Sequence, residues 1–320
     1  MVMDGPFPDS GVVPGEKQEL KDWHNYERQR EDALKTGPGE QGAPHELKEG
    51  LEKERHDLWN TNGFNALLSD QISIDRSLRD IRHIGCKSKK YKSKLPTVSV
   101  VVPFFEEHWT TLLRTVKSVV NRSPSNVLKE IILVDDGSTI KDFLKEPLDK
   151  WLATNAPMTQ VVRLKERSGL IQARQEGAMV ATGDVIVVLD SHVEVMNDWL
   201  PPLLDPIADD YRKVVCPLID VVNKDNFGYY PQDNGGRGAF DWRFFYKRLP
   251  LYKKDEENLP EPFHWFIMNG NLYFHNFHLE SYFDQNLMFW AKGIATMQLF
   301  ISFLVGKMLI VTCFDFRRNF

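Results

Sequence analysis

The sequence predicts an α/β protein built on a doubly wound, mostly parallel β-sheet. Five apolar runs of strand length, rich in β-branched residues, follow one another along the chain. Segments with apolar residues at helical spacing separate these runs. Strands that stay apolar instead of alternating, and that are joined by helices, are typical of a parallel sheet covered on both faces.

The predicted elements alternate along the chain, beginning with the apolar run Val-Ser-Val-Val-Val-Pro at 98–103. In order, we predict strands at 98–103, 130–135, 160–164, 184–190 and 214–222, and helices at 110–120, 140–154, 169–181 and 199–211. A fold of this class binds its ligands at the carboxyl ends of the strands.

Length and composition set the outer limits on function. The chain has 320 residues, enough for two domains of about 150 residues or for one large α/β domain. Its 40 Lys and Arg against 45 Asp and Glu give a net charge of −5, which excludes a nucleic-acid partner held by bulk positive charge. With 42% apolar and 27% charged residues, global disorder, a collagen-like chain and a polytopic membrane protein are also excluded.

The N-terminal part of the chain is polar and acidic. Residues 1–60 hold 14 Asp and Glu against 8 Lys and Arg, and residues 1–20 contain no apolar run of signal or anchor type. We expect 1–62 to be a solvated stem or linker, partly helical over 23–34. A membrane association would then depend on an anchor that this sequence does not contain.

Two of the predicted strands end in acidic residues. One ends in Asp135-Asp136-Gly137-Ser138 and the other in Asp190-Ser191-His192, so both acids fall on the ligand-binding edge. Asp190 and His192 are two residues apart, which on an extended backbone turns both side chains to the same side, about 7 Å apart at the Cα atoms. A carboxylate oxygen with an imidazole nitrogen suits manganese or a similar divalent ion. The alternative is a capped strand end with a surface histidine.

Several motifs together resemble the polypeptide N-acetylgalactosaminyltransferases. They include Asp-Arg-Ser-Leu-Arg-Asp-Ile-Arg-His at 75–83, Val-Val-Pro-Phe-Phe-Glu-Glu-His-Trp at 101–109, and Leu-Asp-Ser-His at 189–192. Further matches lie at 95–96, 113–115, 131–136, 167–174, 199–203, 214–220 and 237–242. The resemblance runs from about residue 63 to 263.

This resemblance implies a fold, a reaction and a compartment. The fold is the GT-A type of nucleotide-diphospho-sugar transferases, so we expect residues 63–320 to form one catalytic domain. The family moves GalNAc from UDP-GalNAc to Ser or Thr hydroxyls of proteins with retention of configuration. It uses manganese and works in the Golgi lumen, where a disulfide such as Cys86–Cys313, which the family pattern implies, is stable.

The resemblance also assigns roles to individual residues. The backbone of Phe104, Phe105 and Glu106, together with the Asp136 side chain, is expected to hold the uridine. The remaining assignments are nucleotide contacts for Arg167, Asp190 and Ser191, and manganese ligation by Asp190 and His192.

After residue 263 the sequence departs from the family pattern. The glycine-rich sugar-binding segment reads Met-Asn-Gly-Asn-Leu-Tyr at 268–273, Gly293 stands where the family has a reaction-centre glutamate, and Arg318 replaces a third metal ligand, a histidine. The catalytic residue is therefore unknown, and we expect 264–320 to be divergent and no lectin domain to follow.

Three functional interpretations stay open on the sequence alone. The first is a GalNAc-transferase, truncated or impaired. The second is a catalytically dead protein that binds UDP or a nucleotide-sugar and acts through protein interactions. The third and weakest is a tail-anchored protein, since the apolar run 295–314 could just cross a bilayer. The family-like spacing from Trp290 to Cys313 favours a buried segment instead.

Overall fold

The computed structural model describes residues 5–211, 213–231, 237–240, 243, 245–258, 263–265 and 308–319. In several strands beyond residue 213 it describes the backbone and not the side chains.

The described residues contain strands and helices in the following order: β1 (Leu20–Lys21), α1 (Tyr26–Leu34), α2 (Glu52–Asn62), α3 (Ala66–Gln71), β2 (Tyr91–Lys92), β3 (Val98–Phe104), α4 (Trp109–Arg122), β4 (Leu128–Asp135), α5 (Glu146–Asn155), β5 (Thr159–Arg163), α6 (Leu170–Val180), β6 (Val185–Val188), α7 (Leu200–Asp209), β7 (Val214–Val222), β8 (Tyr229–Tyr230), β9 (Arg237–Phe240), β10 (Tyr246–Leu249), α8 (Lys253–Glu257), β11 (Phe263–Trp265) and β12 (Met308–Asn319). Short 3₁₀ turns cover Glu40–Gly42, Ile84–Ser88 and Asp142–Leu144.

The centre of the fold is a four-stranded parallel sheet in the order β5-β4-β3-β6. Four of the predicted strands form it, so the predicted parallel sheet is confirmed. Strands β3, β4 and β5 succeed one another in one direction, and the chain then returns to place β6 on the other side of β3. The strand order therefore reverses between β3 and β6, which is where open α/β sheets form their ligand crevice.

Helices cover both faces of this sheet, as the continuous apolar strands predict. On one face Val100 and Val102 of β3 share a buried cluster with residues of α4 and α5, including Leu112 and Leu148. On the other face Val101 packs with α6 in a second cluster. Successive residues of β3 thus point to opposite faces of the sheet, and both faces are buried. For this reason apolar and polar residues do not alternate along the strand.

The fifth predicted strand, β7, has the predicted bounds but lies in a different sheet. It belongs to a mixed sheet in the order β11-β12-β7-β8, with β12 parallel to it. The partner β12 comes from the end of the chain, and the apolar pattern of β7 specifies a buried strand without specifying what pairs with it.

The apolar run 295–314 is only partly covered by the structure. Its last residues lie in β12, and 295–307 lie outside the described residues. Among the helices that the structure does describe, none has both the length and the hydropathy to cross a membrane.

The N-terminal segment supplies buried side chains to the fold. Phe7 and Val12 are 3% and 2% exposed and pack with Ala208 of α7. Trp23 lies in the main core cluster, and the predicted helix over 23–34 is observed as α1. The segment is therefore packed against the rest of the fold through these apolar side chains, and two of its acidic residues, Asp32 and Glu40, are buried as well. The boundary after residue 62 stays a prediction.

Candidate functional site

Three strand ends meet at the carboxyl edge of the parallel sheet. The end of β4 is joined to the end of β3 by a hydrogen bond from the Asp136 amide to the Phe104 carbonyl, 2.9 Å. The end of β6 is joined to β3 by the Leu189 amide, which donates to the Val101 carbonyl at 2.9 Å. The segments 104–107, 135–138 and 189–192 therefore line one crevice at the point where the strand order reverses.

Asp190 and His192 meet at the β6 end of this crevice. Asp190 directly follows the buried Leu189, and His192 lies in a turn two residues later. The Asp190 Oδ2 and His192 Nε2 atoms are 4.0 Å apart. The structure thus brings together the carboxylate and the imidazole that the sequence pairs as metal ligands.

Glu107 orients the imidazole of His192. The sequence patterns did not single out Glu107 as a site residue. Its Oε2 atom accepts a hydrogen bond from the Ser191 hydroxyl at 2.6 Å and lies 3.1 Å from His192 Nδ1. A carboxylate only accepts hydrogen bonds, so the proton of His192 belongs on Nδ1, and Nε2 faces Asp190. Glu107 follows strand β3 as Asp136 follows β4, so the rule that singled out Asp136 could have found it.

Burial alone would raise the pKa of Glu107, but the hydrogen bond and the charge of His192, with the Ser191 hydroxyl, lower it to about 2. The Glu107 carboxylate is therefore ionised at neutral pH. A negative charge on the Nδ1 side of His192 makes the imidazole a better donor to a cation on its other side.

Arg174 of α6 fixes the second predicted ligand. Its guanidinium is 3% exposed and donates to Asp190 Oδ1 at 3.3 Å. Since the same carboxylate presents Oδ2 to His192, Arg174 sets the rotation of Asp190. The sequence motif includes Arg174 without giving it a role.

The predicted nucleotide end of the crevice is built around Asp136. This residue is 5% exposed, and its carboxylate accepts hydrogen bonds from the amides of Ser168 and Gly169 at 2.7 and 2.9 Å. These two amides immediately precede α6, where a helix N-terminus favours negative charge. Asp136 thereby fixes the turn that carries Arg167.

Phe105 and Arg167 form an exposed stack beside Asp136. The Arg167 guanidinium lies 4.1 Å from the centroid of the Phe105 ring, and Phe105 is 37% exposed. The stack presents a flat, cationic surface of the kind that stacks on a nucleobase or pairs with a phosphate. Two residues that the resemblance assigns to the nucleotide thus lie side by side.

The donor set at the β6 end fits a divalent cation only in part. The Asp190 carboxylate oxygen and the His192 Nε2 atom face each other, and Glu107 holds the far side of the imidazole. This is the way in which a histidine is usually presented to a metal. Among the residues that the structure describes, however, no group of three His, Cys, Asp or Glu is placed to hold a metal ion. The remaining ligands would have to come from elsewhere, such as diphosphate oxygens.

Gly137 sits between the two strand-end acids and Ser138, and its conformation is specific to glycine. Its φ is +75°, and an added Cβ would lie 2.6 Å from the backbone of both Glu166 and Arg167. We expect Gly137→Ala to lower the free energy of unfolding by about 3 kcal/mol, because left-handed strain adds to a clash between two backbones. Urea denaturation of the whole chain measures this.

Gly11→Ala is the matched control for that substitution. Gly11 has a φ of +68° and no heavy atom within 4 Å of an added Cβ, so only the backbone strain of about 1 kcal/mol should appear. Equal losses of unfolding free energy in the two variants would show that the backbone of 166–167 does not clash with a side chain at position 137.

The remaining predicted site residues fall where side chains are not described. Gly293 and segment 268–273 lie outside the described residues. Arg318 and Cys313 lie in β12, of which only the backbone is described. Cys86, the predicted partner of Cys313, is 1% exposed.

Comparison with known families defines the class of protein. Residues 99–276 match the model of the glycosyl transferase family 2, so the chain belongs to that family. The match begins in β3 and includes all three strand ends of the crevice. The site described above is therefore the part of the chain that is typical of these transferases.

Individual relatives place the chain more narrowly. It is 48% identical over 262 residues to human polypeptide N-acetylgalactosaminyltransferase 10, covering 81% of this chain and 43% of that protein. It is 42% identical over 311 residues to Drosophila melanogaster N-acetylgalactosaminyltransferase 4, covering 94% of this chain and 48% of the relative. The similarity therefore extends beyond residues 63–263, the part of the chain that carries the motifs, in both directions. The chain spans half or less of the length of these curated relatives.

A solved structure agrees with these relatives. The crystal structure of GalNAc-T7 with UDP, GalNAc and Mn²⁺ matches 99% of this chain and 60% of its own, with a TM-score of 0.81 and 34% identity. The GT-A fold is therefore confirmed, and so is the recognised family, the polypeptide N-acetylgalactosaminyltransferases.

Proposed function

We propose that the crevice binds UDP-GalNAc together with manganese, and that the chain transfers GalNAc to Ser or Thr hydroxyls of proteins. The observation that carries this proposal is the pair of Asp190 and His192, with Glu107 on the far side of the imidazole. The similar GalNAc-T7 structure, which contains UDP, GalNAc and Mn²⁺, supports this choice of ligands.

Each side chain of the crevice then has a distinct part. Asp190 and His192 would hold the cation, which when bound supplies Lewis-acid stabilisation of the departing diphosphate. Glu107 and Arg174 keep these two ligands in position. Arg174 is buried, only 12% of the Glu107 side chain is exposed, and both groups are ionic. They should therefore hold the ligands before the nucleotide arrives, as efficient electrostatic stabilisation requires.

The opposite end of the crevice would receive the nucleoside. The exposed stack of Phe105 on Arg167 offers a planar surface for the uracil or a charge for the phosphates. Asp136 and the backbone of 104–106 lie next to that stack and close the end of the crevice. Ser191, whose hydroxyl donates to Glu107, lies at the other end, beside His192.

The cellular setting is part of the same proposal. Polypeptide GalNAc-transferases glycosylate proteins in the Golgi. By analogy, this chain would work in the Golgi lumen on protein acceptors rich in Ser or Thr. An oxidising lumen would also sustain a disulfide between Cys86 and Cys313. Cys86 is buried and disulfide-bonded, and on this proposal its partner is Cys313 of β12.

A second candidate function is nucleotide binding without transfer. It is favoured by Gly293 in place of a glutamate and by Arg318 in place of a histidine ligand. A positive charge at a ligand position should weaken the hold on a dication, and a missing glutamate removes a polar partner of the sugar. The donor end of the site would survive both changes.

Transfer of labelled GalNAc from UDP-GalNAc to a Ser/Thr-rich peptide separates the two candidates. We expect manganese-dependent labelling of the peptide if the chain is a transferase. Binding of UDP without labelling, at enzyme concentrations comparable with the peptide, would contradict transfer and leave the binding function.

A further inference from the structure

Glu106 adopts a backbone conformation that its residue type rarely takes. Its φ is +46°, in the left-handed region that costs an ordinary side chain about 1–2 kcal/mol. A residue held in such a conformation is stabilised by its surroundings. In this protein the surroundings are the segment 138–141, which follows the two acids at the end of β4.

The Glu106 carboxylate collects three consecutive backbone amides of that segment. Its Oε1 atom accepts from Thr139 and Ile140 at 2.6 and 2.9 Å, and its Oε2 atom accepts from Lys141 at 3.1 Å. Three successive amides that converge on one carboxylate form an anion cradle, and hydrogen bonds to a charged acceptor are stronger than neutral ones.

The backbone of Glu106 is tied to the same segment. Its amide donates to the Ser138 hydroxyl at 2.9 Å, and its carbonyl accepts from Lys141 Nζ at 2.6 Å. The Lys141 ammonium also donates to Asn62 at the end of α2. The two segments are thus joined at several points, with Glu106 contributing to each.

The helix predicted over 140–154 begins later, at Glu146. Segment 139–141 is bonded to Glu106, the chain then forms a 3₁₀ turn at Asp142–Leu144, and the non-helical backbone of Lys145 (φ −99°, ψ −119°) separates this turn from α5, which has a proline in its first turn. Ile140 is 82% exposed, so apolar packing of its side chain does not hold this segment. Burial would raise the pKa of Glu106, but the three amides and Lys141 lower it, so the carboxylate is ionised at neutral pH.

We propose that the Glu106 carboxylate is a positioning residue that fixes segment 138–141 at the nucleoside end of the donor site. This inference rests on the proposed function and deepens it. The resemblance gives Glu106 a role through its backbone, whereas the structure gives the side chain a separate one. Glu107 and Glu106 then face opposite ends of the crevice, one toward the metal ligands and one toward the nucleoside.

Glu106→Asn tests the proposal without adding backbone strain. Asparagine tolerates a left-handed φ, but its shorter, neutral side chain does not supply a carboxylate to three amides. Glu106→Gln keeps the length and loses the charge, so its effect should be intermediate. Asp142→Asn is the matched control, because that carboxylate lies in the same segment and its side chain is 89% exposed.

Two measurements on the full chain decide the matter. Hydrogen exchange of peptides covering 138–141 should speed up in Glu106→Asn and not in Asp142→Asn. The Kd for UDP with manganese, from calorimetry, should rise about tenfold in Glu106→Asn, because charge-assisted hydrogen bonds that order the segment are lost.

The outcomes are distinguishable. Faster exchange with an unchanged Kd for UDP would overturn the positioning role, and so would unchanged exchange. If the wild-type chain binds no UDP at all, the proposed function fails and this inference fails with it. If the wild type binds UDP and Glu106→Asn binds it equally well, only the inference fails.

Discussion

Replacing Asp190 by asparagine is expected to raise the Kd for UDP in the presence of manganese by at least about a hundredfold. Loss of a group that merely supports a ligand typically costs ten- to a hundredfold in metal affinity, and Asp190 is proposed as a ligand itself. Because the structure describes only Asp190 and His192 as candidate protein ligands, the loss of one halves that set.

The substitution is conservative for folding. The amide oxygen of asparagine can still accept a hydrogen bond from Arg174, which donates to Asp190 Oδ1. Calorimetric titration with UDP at fixed manganese measures the effect, with Asp57→Asn on the exposed helix α2 as the matched carboxylate control. A Kd within about threefold of wild type would contradict the assignment of Asp190.

The largest effect on stability is expected at a buried ion pair beneath the crevice. Arg76 is 0% exposed and donates to Glu194 through Nε at 2.9 Å and Nη2 at 2.8 Å. Glu194 is 2% exposed and lies two residues beyond His192. Glu194→Ala leaves the Arg76 charge buried without this carboxylate, so we expect a loss of about 3–5 kcal/mol in the free energy of unfolding.

A double variant separates the lost pair from the stranded charge. In Arg76→Met with Glu194→Leu both charges are removed, and apolar replacements of similar volume are often neutral. Because Arg76 also donates to the Phe227 carbonyl at 3.0 Å, we expect a recovery of about half of the loss. Urea denaturation with the disulfide intact measures both variants. A double variant as unstable as Glu194→Ala alone would contradict this explanation.

The parallel sheet could be predicted from sequence because its pattern is local. Strands β3 and β4 each contain an unbroken apolar stretch, at 100–104 and 131–134, and each is followed by an amphipathic helix. The acids Asp135, Asp136 and Asp190 could be placed on one edge because parallel strands share the direction of their carboxyl ends.

Other features depend on contacts that are distant in sequence. The pairing of β7 with β12 joins residues about a hundred positions apart. The hydrophobic periodicity of either segment does not indicate which strand it pairs with. The anchoring of segment 139–141 ahead of α5 follows from hydrogen bonds to Glu106, which precedes α5 by some forty residues. The role of Glu107 follows from its approach to His192 across two strands.

After residue 263 the sequence differs from the family pattern. The sequence shows which chemical groups are replaced there, but it does not show how the replacements change the structure. Asn271 and Gly293 replace a glycine and a glutamate of the family, and both lie outside the described residues. Their consequences for the sugar and for the acceptor are therefore matters for the transfer assay, whereas the donor end is defined by the described residues.

The central claim is that Asp190 and His192 hold a divalent cation together with a diphosphate. Electron paramagnetic resonance of free Mn²⁺ tests it most directly, in solutions of the full chain with and without UDP. We predict that UDP causes the loss of one equivalent of the free Mn²⁺ signal per chain, beyond the loss seen with UDP alone, and that Asp190→Asn abolishes this extra loss. An identical free Mn²⁺ signal with and without the protein would contradict the account.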